Sequence, residues 1–245
     1  MKTILIIGAN SAIAKATARL YAEEQCQLYL LGRDSAALAE QKADLEIRGA
    51  HSVDFAPLDV THFAVHEAVI EQALDTLGHI DIVLICHGSL PDQALCETDF
   101  DAANEAFKVN ALSVISLLGI LALKMQDQNN GSIAVVTSVA GDRGRQSNYV
   151  YGAAKGMVSL YLQGLRGRLY PFNVNVVDIK PGFVDTPMTS HIKKGALWAS
   201  PAQVAHCIVT GINKNKTTVY APYFWRYIMQ IVCNIPESIF KRLKF

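Results

Sequence analysis

Short apolar runs alternate with stretches of helical periodicity along the whole 245-residue chain. Runs rich in β-branched residues and bounded by turn residues read as strands buried on both faces. They fall at residues 2–7, 27–31, 52–57, 81–85, 132–137, 173–179 and 217–221. Helical patterns start at Ser11, Asp34 and Thr61 and fill 100–127, 149–170 and 201–212. Strict alternation of β and α predicts an α/β fold, a Rossmann-like doubly wound parallel sheet of about seven strands with helices on both faces. Such sheets bind ligands beyond the carboxyl ends of their strands, where the strand order reverses. Every candidate residue below lies at such an end or in the helix that follows.

The length suits one dinucleotide-binding and catalytic domain over 1–221, with an apolar and basic extension over 222–245 packed on it or at an interface. No repeat or low-complexity linker interrupts the alternation. Lys+Arg and Asp+Glu both number 22, so the overall balance gives no reason to expect a nucleic acid partner. The five cysteines form no Cys-x-x-Cys pair and have no His partner at metal-ligand spacing. Neither a zinc site nor a disulfide framework is expected, and a reducing cytoplasm is the simplest setting. The apolar run before Gly8 is too short for an export signal and reads as a strand. No stretch is read as reaching the ~20 apolar residues of a membrane span.

The first strand leads into Gly8-Ala9-Asn10-Ser11-Ala12-Ile13-Ala14. A tight turn opening a helix presents free amides that suit a pyrophosphate; a purely structural β-to-α turn reads the same way. The glycine pattern usual here is Gly-x-x-x-Gly-x-Gly, and Ala12 and Ala14 stand in for two of its members. The second strand ends in Gly32-Arg33-Asp34. An enzyme preferring NAD places an acid at that tip, whereas Arg33 offers a fork suited to a 2'-phosphate, which favours NADP(H) over NAD(H). The other reading pairs Arg33 with Asp34 or a neighbouring helix. Asp59 and Val60 end the third strand, where Asp59 suits an adenine amino group or a helix N-cap, and Val60 the ring. Cys86-His87-Gly88 ends the fourth and runs past the same ligand, with His87 read as a packing residue and not a base.

Tyr151, Lys155 and Ser138 carry the candidate chemistry. On a helix, Tyr151 and Lys155 share one face at i and i+4. A phenol with a pKa of ~10 is a poor proton shuttle, but a cation ~4 Å away in a medium of dielectric ~20 contributes ~4 kcal/mol. That is roughly 3 pKa units, enough to bring the phenol near neutrality. By itself Tyr-x-x-x-Lys also arises by chance in helices.

The glycine turn, Asp59-Val60, Cys86-His87-Gly88, Asn110, Ser138, Tyr151-Gly152-Ala153-Ala154-Lys155 and Pro181-Gly182 occur in one order over nearly the whole chain. Together they resemble the short-chain dehydrogenase/reductase family. The resemblance implies that Tyr151 is the acid/base, that Lys155 lowers its pKa and holds the nicotinamide ribose, and that Ser138 orients the substrate oxygen. It makes Asn110 the residue that kinks a long helix and anchors a water relaying protons to Lys155. Pro181, Gly182, Val184 and Thr186 are then the segment that binds the carboxamide. Residues 141–151, Pro91-Asp92-Gln93 and 236–245 resemble the bacterial branch holding the ketoreductase half of the decaprenylphosphoryl-ribose 2-epimerase system. There a flavin oxidase makes a 2-keto sugar and the short-chain partner reduces it.

The expected substrate is thus a small carbonyl or alcohol compound, extending to a 2-keto sugar phosphate or a lipid-linked keto sugar. Arg143, Arg145, Lys193 and Lys194 suit a phosphate on it, or are solvated loop charges. Aromatic and apolar residues beside Lys241, Arg242 and Lys244 suit a tail lying on the inner face of a membrane, or one that covers the core or a subunit interface. The family's habit of pairing long helices implies a homodimer or homotetramer, for which the apolar run 111–125 is suited. A dinucleotide-binding redox sensor or structural subunit without catalysis is the rival class, and sensors typically lose the tyrosine or lysine that this chain keeps. Sugar-nucleotide epimerases share Tyr-x-x-x-Lys but need a larger C-terminal domain than the residues after Pro181 allow.

Overall fold

Alternate residues of each apolar run point to opposite faces of a strand, and both faces of this sheet are roofed by helices. In the computed structural model, which describes residues 1–190 and 192–243, seven strands form one parallel sheet in the order β3-β2-β1-β4-β5-β6-β7. They are β1 (Thr3–Ile7), β2 (Gln27–Gly32), β3 (Ser52–Pro57), β4 (Ile82–Ile85), β5 (Gly131–Val136), β6 (Val174–Pro181) and β7 (Thr218–Ala221). The order reverses between β1 and β4, which pair with Ile7 beside Ile85. That switch point opens a crevice at the strands' carboxyl ends.

Ile4 and Ile6 face a core shared with α1 (Ala12–Glu23), α2 (Ser35–Ile47) and α8 (Pro201–Asn213). Leu5 and Ile7 face the opposite core, built with α3 (His66–Leu77), α6 (Ser113–Gln128) and α7 (Tyr149–Leu169). Side-chain oxygens satisfy the first amides of several helices: Ser11 accepts from Ala14, Asp34 from Ala37 and Ser200 from Gln203. The helix predicted from Thr61 starts later, because residues 63–65 form a 3-10 turn first.

The single helix predicted over 100–127 is three pieces: α5 (Phe100–Phe107), a π-helical turn Lys108–Leu112, and α6. By length and composition Phe100–Gln128 could cross a membrane, contrary to the expectation that no stretch would. Its stripe Val114, Leu117, Leu118, Leu121 and Met125 is instead buried against the sheet, so it serves as a core helix. A short helix that the pattern did not announce, α4 (Gln93–Thr98), is capped by Asp92. Beyond β7 the chain continues into α9 (Trp225–Asn234) and α10 (Glu237–Phe240). Lys244, singled out in the sequence, lies outside the described residues.

Candidate active site

The turn after β1 is shaped by Gly8, whose φ of +79° suits glycine, and whose missing side chain leaves room for the backbone of His87, 2.5 Å from where a Cβ would stand. Ser11 caps α1, and the amides of Ala12 and Ile13 have no partner among the described residues. These are the free donors that an anion at a helix N-terminus uses. Asn10 ties this turn to the tip of β2 by accepting from the Asp34 amide at 3.4 Å. Asp34 itself is the N-cap of α2. Arg33 is exposed and has no ion-pair partner among the described residues, so the alternative in which it pairs with Asp34 is not realised.

Asp59 accepts from the amide and hydroxyl of Thr61 at 2.9 and 2.8 Å, and these bonds hold its carboxyl below the usual range. It closes a turn and does not cap α3. Val60 is buried, and its carbonyl accepts from the Nε2–H of fully buried His66 at 3.0 Å. Cys86 is buried, and its thiol is pushed up to about 12 by desolvation. Ser113 donates to the Val109 carbonyl, so its oxygen accepts from His87 Nε2 at 2.8 Å. His87 Nδ1 is buried and has no partner among the described residues, and desolvation holds the ring neutral, with a pKa of about 3.

Asn110 sits in the π-helical turn with no exposed surface. Its Oδ1 accepts from the Ser89 amide and its Nδ2 donates to the Ala106 carbonyl, each at 3.0 Å. A Cβ on Gly88 would lie 2.9 Å from that Oδ1 and 3.3 Å from Lys155 Nζ, which places both groups around one point of the crevice.

Tyr151 and Lys155 share a face of α7, with the Lys155 nitrogen 5.9 Å from the Tyr151 ring centre. The Ser138 hydroxyl, whose oxygen accepts from the Ala140 amide at 3.1 Å, lies close enough to the Tyr151 phenol to favour its charged form. Lys155 is 3% exposed and donates to the Val136 carbonyl at 3.2 Å. Desolvation pulls its pKa down to about 8. The phenol is not lowered toward neutrality: burial pushes it up to about 12 despite the nearby Ser138 hydroxyl. Removing water from around the phenol penalises the phenolate, and that loss outweighs the stabilisation expected from the lysine at i+4.

Pro181 ends β6, and the Gly182 amide donates to the Ala221 carbonyl at 3.2 Å. The indole of Trp225, on α9, occupies the space where a Gly182 side chain would stand. Val184 is buried and bridges to Ala199, while Thr186 starts the 3-10 turn Pro187–Thr189. The turn of residues 8–13, the 86–88 segment, the Ser138-Tyr151-Lys155 cluster and the 181–186 segment thus all border the carboxyl-end crevice. Arg33 and Asp59 stand at its far end, with Arg33 among the charges that lower Asp59.

Arg143 and Arg145 do not face a substrate phosphate. Arg143 donates to the Val232 and Ile235 carbonyls at 2.6 and 2.7 Å and to Glu237 at 2.9 Å, with Phe240 stacked 3.7 Å from its guanidinium carbon. It adds charged donors to the carbonyls at the end of α9, where that of Val232 also accepts from the Ile235 amide at 3.4 Å. Arg145 reaches the Met229 sulfur on the same helix. Lys194 pairs with Asp185 at 2.6 Å in solvent.

Sequence reasoning missed the groups that brace the Ser138 loop. Asp142 pairs with Lys180 and accepts from the Tyr220 hydroxyl at 2.8 Å; Lys180 also lies 3.4 Å from Asp178. Burial works against the Lys180 charge, and the two carboxylates more than offset it, so its pKa is raised. The one available signal was a lysine inside the apolar run 174–181.

A doubly wound sheet with a Ser, Tyr and Lys gathered at its switch point defines a nucleotide-dependent oxidoreductase. The family model described as short chain dehydrogenase matches residues 2–196, and the chain belongs to the short-chain dehydrogenase/reductase family. An uncharacterized oxidoreductase of Streptomyces coelicolor is 32% identical over 99% of this chain and 96% of its own length. The ketoacyl reductase HetN of a Nostoc species is 29% identical over 89% of this chain and 77% of its own length. Among solved structures, levodione reductase superposes with a TM-score of 0.81 at 22% identity, covering 89% of this chain and 94% of the other. The actinorhodin polyketide ketoreductase, solved with NADPH, superposes with a TM-score of 0.79 at 19% identity over the same shares. The protein is therefore an oxidoreductase of this family, which uses NAD(P). The free helix amides, the glycine at position 8 and the crevice-facing lysine are groups that fit such a cofactor.

Replacing Arg143 by alanine removes the charged donor from the Val232 carbonyl and leaves the Ile235 carbonyl without its donor, and should destabilise the protein by about 1.5–3 kcal/mol. Thermal melts should show the loss, and Arg143→Lys should recover little of it, because an ammonium lacks the fork that reaches both carbonyls and Glu237.

Proposed function

We propose that this protein is an NADP(H)-dependent ketoreductase that converts a ketone to a secondary alcohol. The observation that carries this is the convergence of the Tyr151 hydroxyl, the Ser138 hydroxyl and the Lys155 ammonium at the switch-point crevice. Bound NADPH would supply the hydride. Tyr151 donates its proton to the developing alkoxide, and the Ser138 hydroxyl holds the carbonyl oxygen and stabilises charge as it forms. Lys155 stabilises the phenolate left behind and binds ribose hydroxyls, while Asn110 holds a backbone geometry through which a water can reprotonate it. The amides of Ala12 and Ile13 hold the pyrophosphate, and Arg33 the 2'-phosphate. Gly182, Val184 and Thr186 flank the nicotinamide. The domain of 1–221 does this work, with 222–245 as a brace upon it.

Several observations support ketone reduction with NADPH. Gly32 stands where an acid would repel a 2'-phosphate, and Arg33 has no ion-pair partner among the described residues. Relatives in sequence and fold are named as ketone-reducing enzymes, one of them solved with NADPH. The likeness of residues 141–151 to the epimerase branch points to a 2-keto sugar, as a phosphate or on a lipid, made by a flavin oxidase partner. Since Arg143 and Arg145 are held by α9, recognition of a phosphate falls to other groups. The free thiols of all five cysteines suit the cytoplasm. The exposed groove of Ile115, Met157, Leu160 and Tyr161 between α6 and α7 fits a second copy of the chain.

Tyr151→Phe should reduce ketone-dependent NADPH oxidation by at least about a thousandfold while nucleotide binding, read by fluorescence titration, stays within a few-fold. Appreciable turnover by that variant would defeat the assignment. Lys155 titrates at about 8, so it is charged below that pH and neutral above it. The kcat/KM for NADPH should accordingly be level through neutral pH and fall as pH rises past about 8. Arg33→Ser should raise the KM for NADPH about tenfold or more and leave that for NADH nearly unchanged, as measured by steady-state kinetics with both cofactors.

A further inference from the structure

Helix α9 has two apolar faces, and the fold uses only one. Trp225 and Met229 are buried with Val139, and Ile228 and Val232 pack beside them. On the outward side Tyr223, Tyr227 and Ile231 recur every four residues and are 55%, 56% and 69% exposed. Ile239 on α10 is half exposed as well. Single exposed apolar residues are ordinary, but a row at helical spacing is an unpartnered surface. Tyrosines that carry a polar tip on an apolar ring suit a boundary between water and hydrocarbon.

Charge distinguishes among the candidates for what covers this face. The chain is neutral overall, yet residues 222–245 hold four Lys and Arg and a single acid, Glu237. Glu237 is neutralised by Arg143. Arg226 lies within the outward face, close enough to act on both tyrosines, and Lys241 and Arg242 follow α10 in solvent. A second copy meeting this face would set basic groups against basic groups, whereas an anionic surface would neutralise them. The same helix leans on the crevice: Trp225 fills the space over Gly182 and meets Phe183, whose ring stacks on Trp198.

We propose that the outward face of α9 and α10 docks on an anionic lipid bilayer, with Tyr223, Tyr227 and Ile231 in the interface and Arg226, Lys241 and Arg242 at the headgroups. Docking sets the 181–186 side of the crevice beside the membrane, where an amphiphilic ketone with its chain in the lipid can reach Ser138 and Tyr151. The docking stands on the surface alone; its service to a ketone rests on the ketoreductase reading.

The test uses the intact protein in flotation with vesicles of equal parts phosphatidylglycerol and phosphatidylcholine, and with phosphatidylcholine alone. The wild type should float with the anionic vesicles, less so in about 0.5 M salt, and remain below with the zwitterionic ones. The double variant Tyr227→Ser, Ile231→Ser should bind about tenfold more weakly or worse, with unchanged NADPH oxidation on a water-soluble ketone. Wild type that stays at the bottom with both vesicles overturns the proposal, as does a double variant that floats equally well. A lipid-free assembly of the wild type that the double variant abolishes also overturns it, assigning the face to a second copy. If neither protein oxidises NADPH with any ketone, the ketoreductase reading fails while flotation still decides the docking.

Discussion

The buried ammonium of Lys155 is the constraint on which the site depends. A cation 3% exposed, with one backbone carbonyl as its hydrogen-bond acceptor, is expensive to hold, and its pKa has dropped to about 8 in consequence. It persists because α7 is anchored by a continuous apolar stripe including Val158, Leu162 and Leu165, which fixes the direction of the helix and so of the lysine. Three neighbouring polar groups, buried Asn110 and the half-buried Tyr151 and neutral His87, stand around the same crevice without supplying a negative charge. A pocket of this kind has unsatisfied capacity for a ligand rich in hydroxyls and negative charge, which is the electrostatic character of a dinucleotide.

A second polar system keeps the Ser138 loop in place. Asp142 and Lys180 pair under Tyr220, and Asp178 accepts from the Thr137 hydroxyl next to Ser138. One residue further on, Arg143 grips the end of α9. The C-terminal extension is therefore joined to the same loop that carries Ser138, and Trp225 joins it to the 181–186 segment. An extension tied at two sides of a crevice shapes that crevice. Removing a partner from a buried ion pair leaves an uncompensated charge, so these contacts resist piecemeal change.

Most of the fold was legible because burial on both faces imposes long apolar runs, and all seven strands announced themselves that way. Ser138, Tyr151, Lys155 and Asn110 stand out by spacing and family resemblance, and the fold brings Tyr151 and Lys155 onto one face of α7, with Asn110 beside Lys155 across Gly88. Other features were not legible, for physical reasons. The π-helical turn at Lys108–Leu112 changes hydrogen bonding without changing hydrophobic period, so the long helix read as uninterrupted. Arg143 and Arg145 read as free cations because their partners lie some ninety positions away on α9. The phenol's pKa was misread because spacing reports which face a residue occupies and says nothing of the water removed around it.

The amino-acid order alone determined which segments become strands and helices and which side chains share a face, since periodicity is a local property of the backbone. It also set the chemical types present at each strand end. Tertiary structure decided how far Lys155 stands from the phenol, which arginines remain free and which face of α9 is left to solvent. Those outcomes depend on distances and desolvation between residues remote in sequence, and no local pattern encodes them.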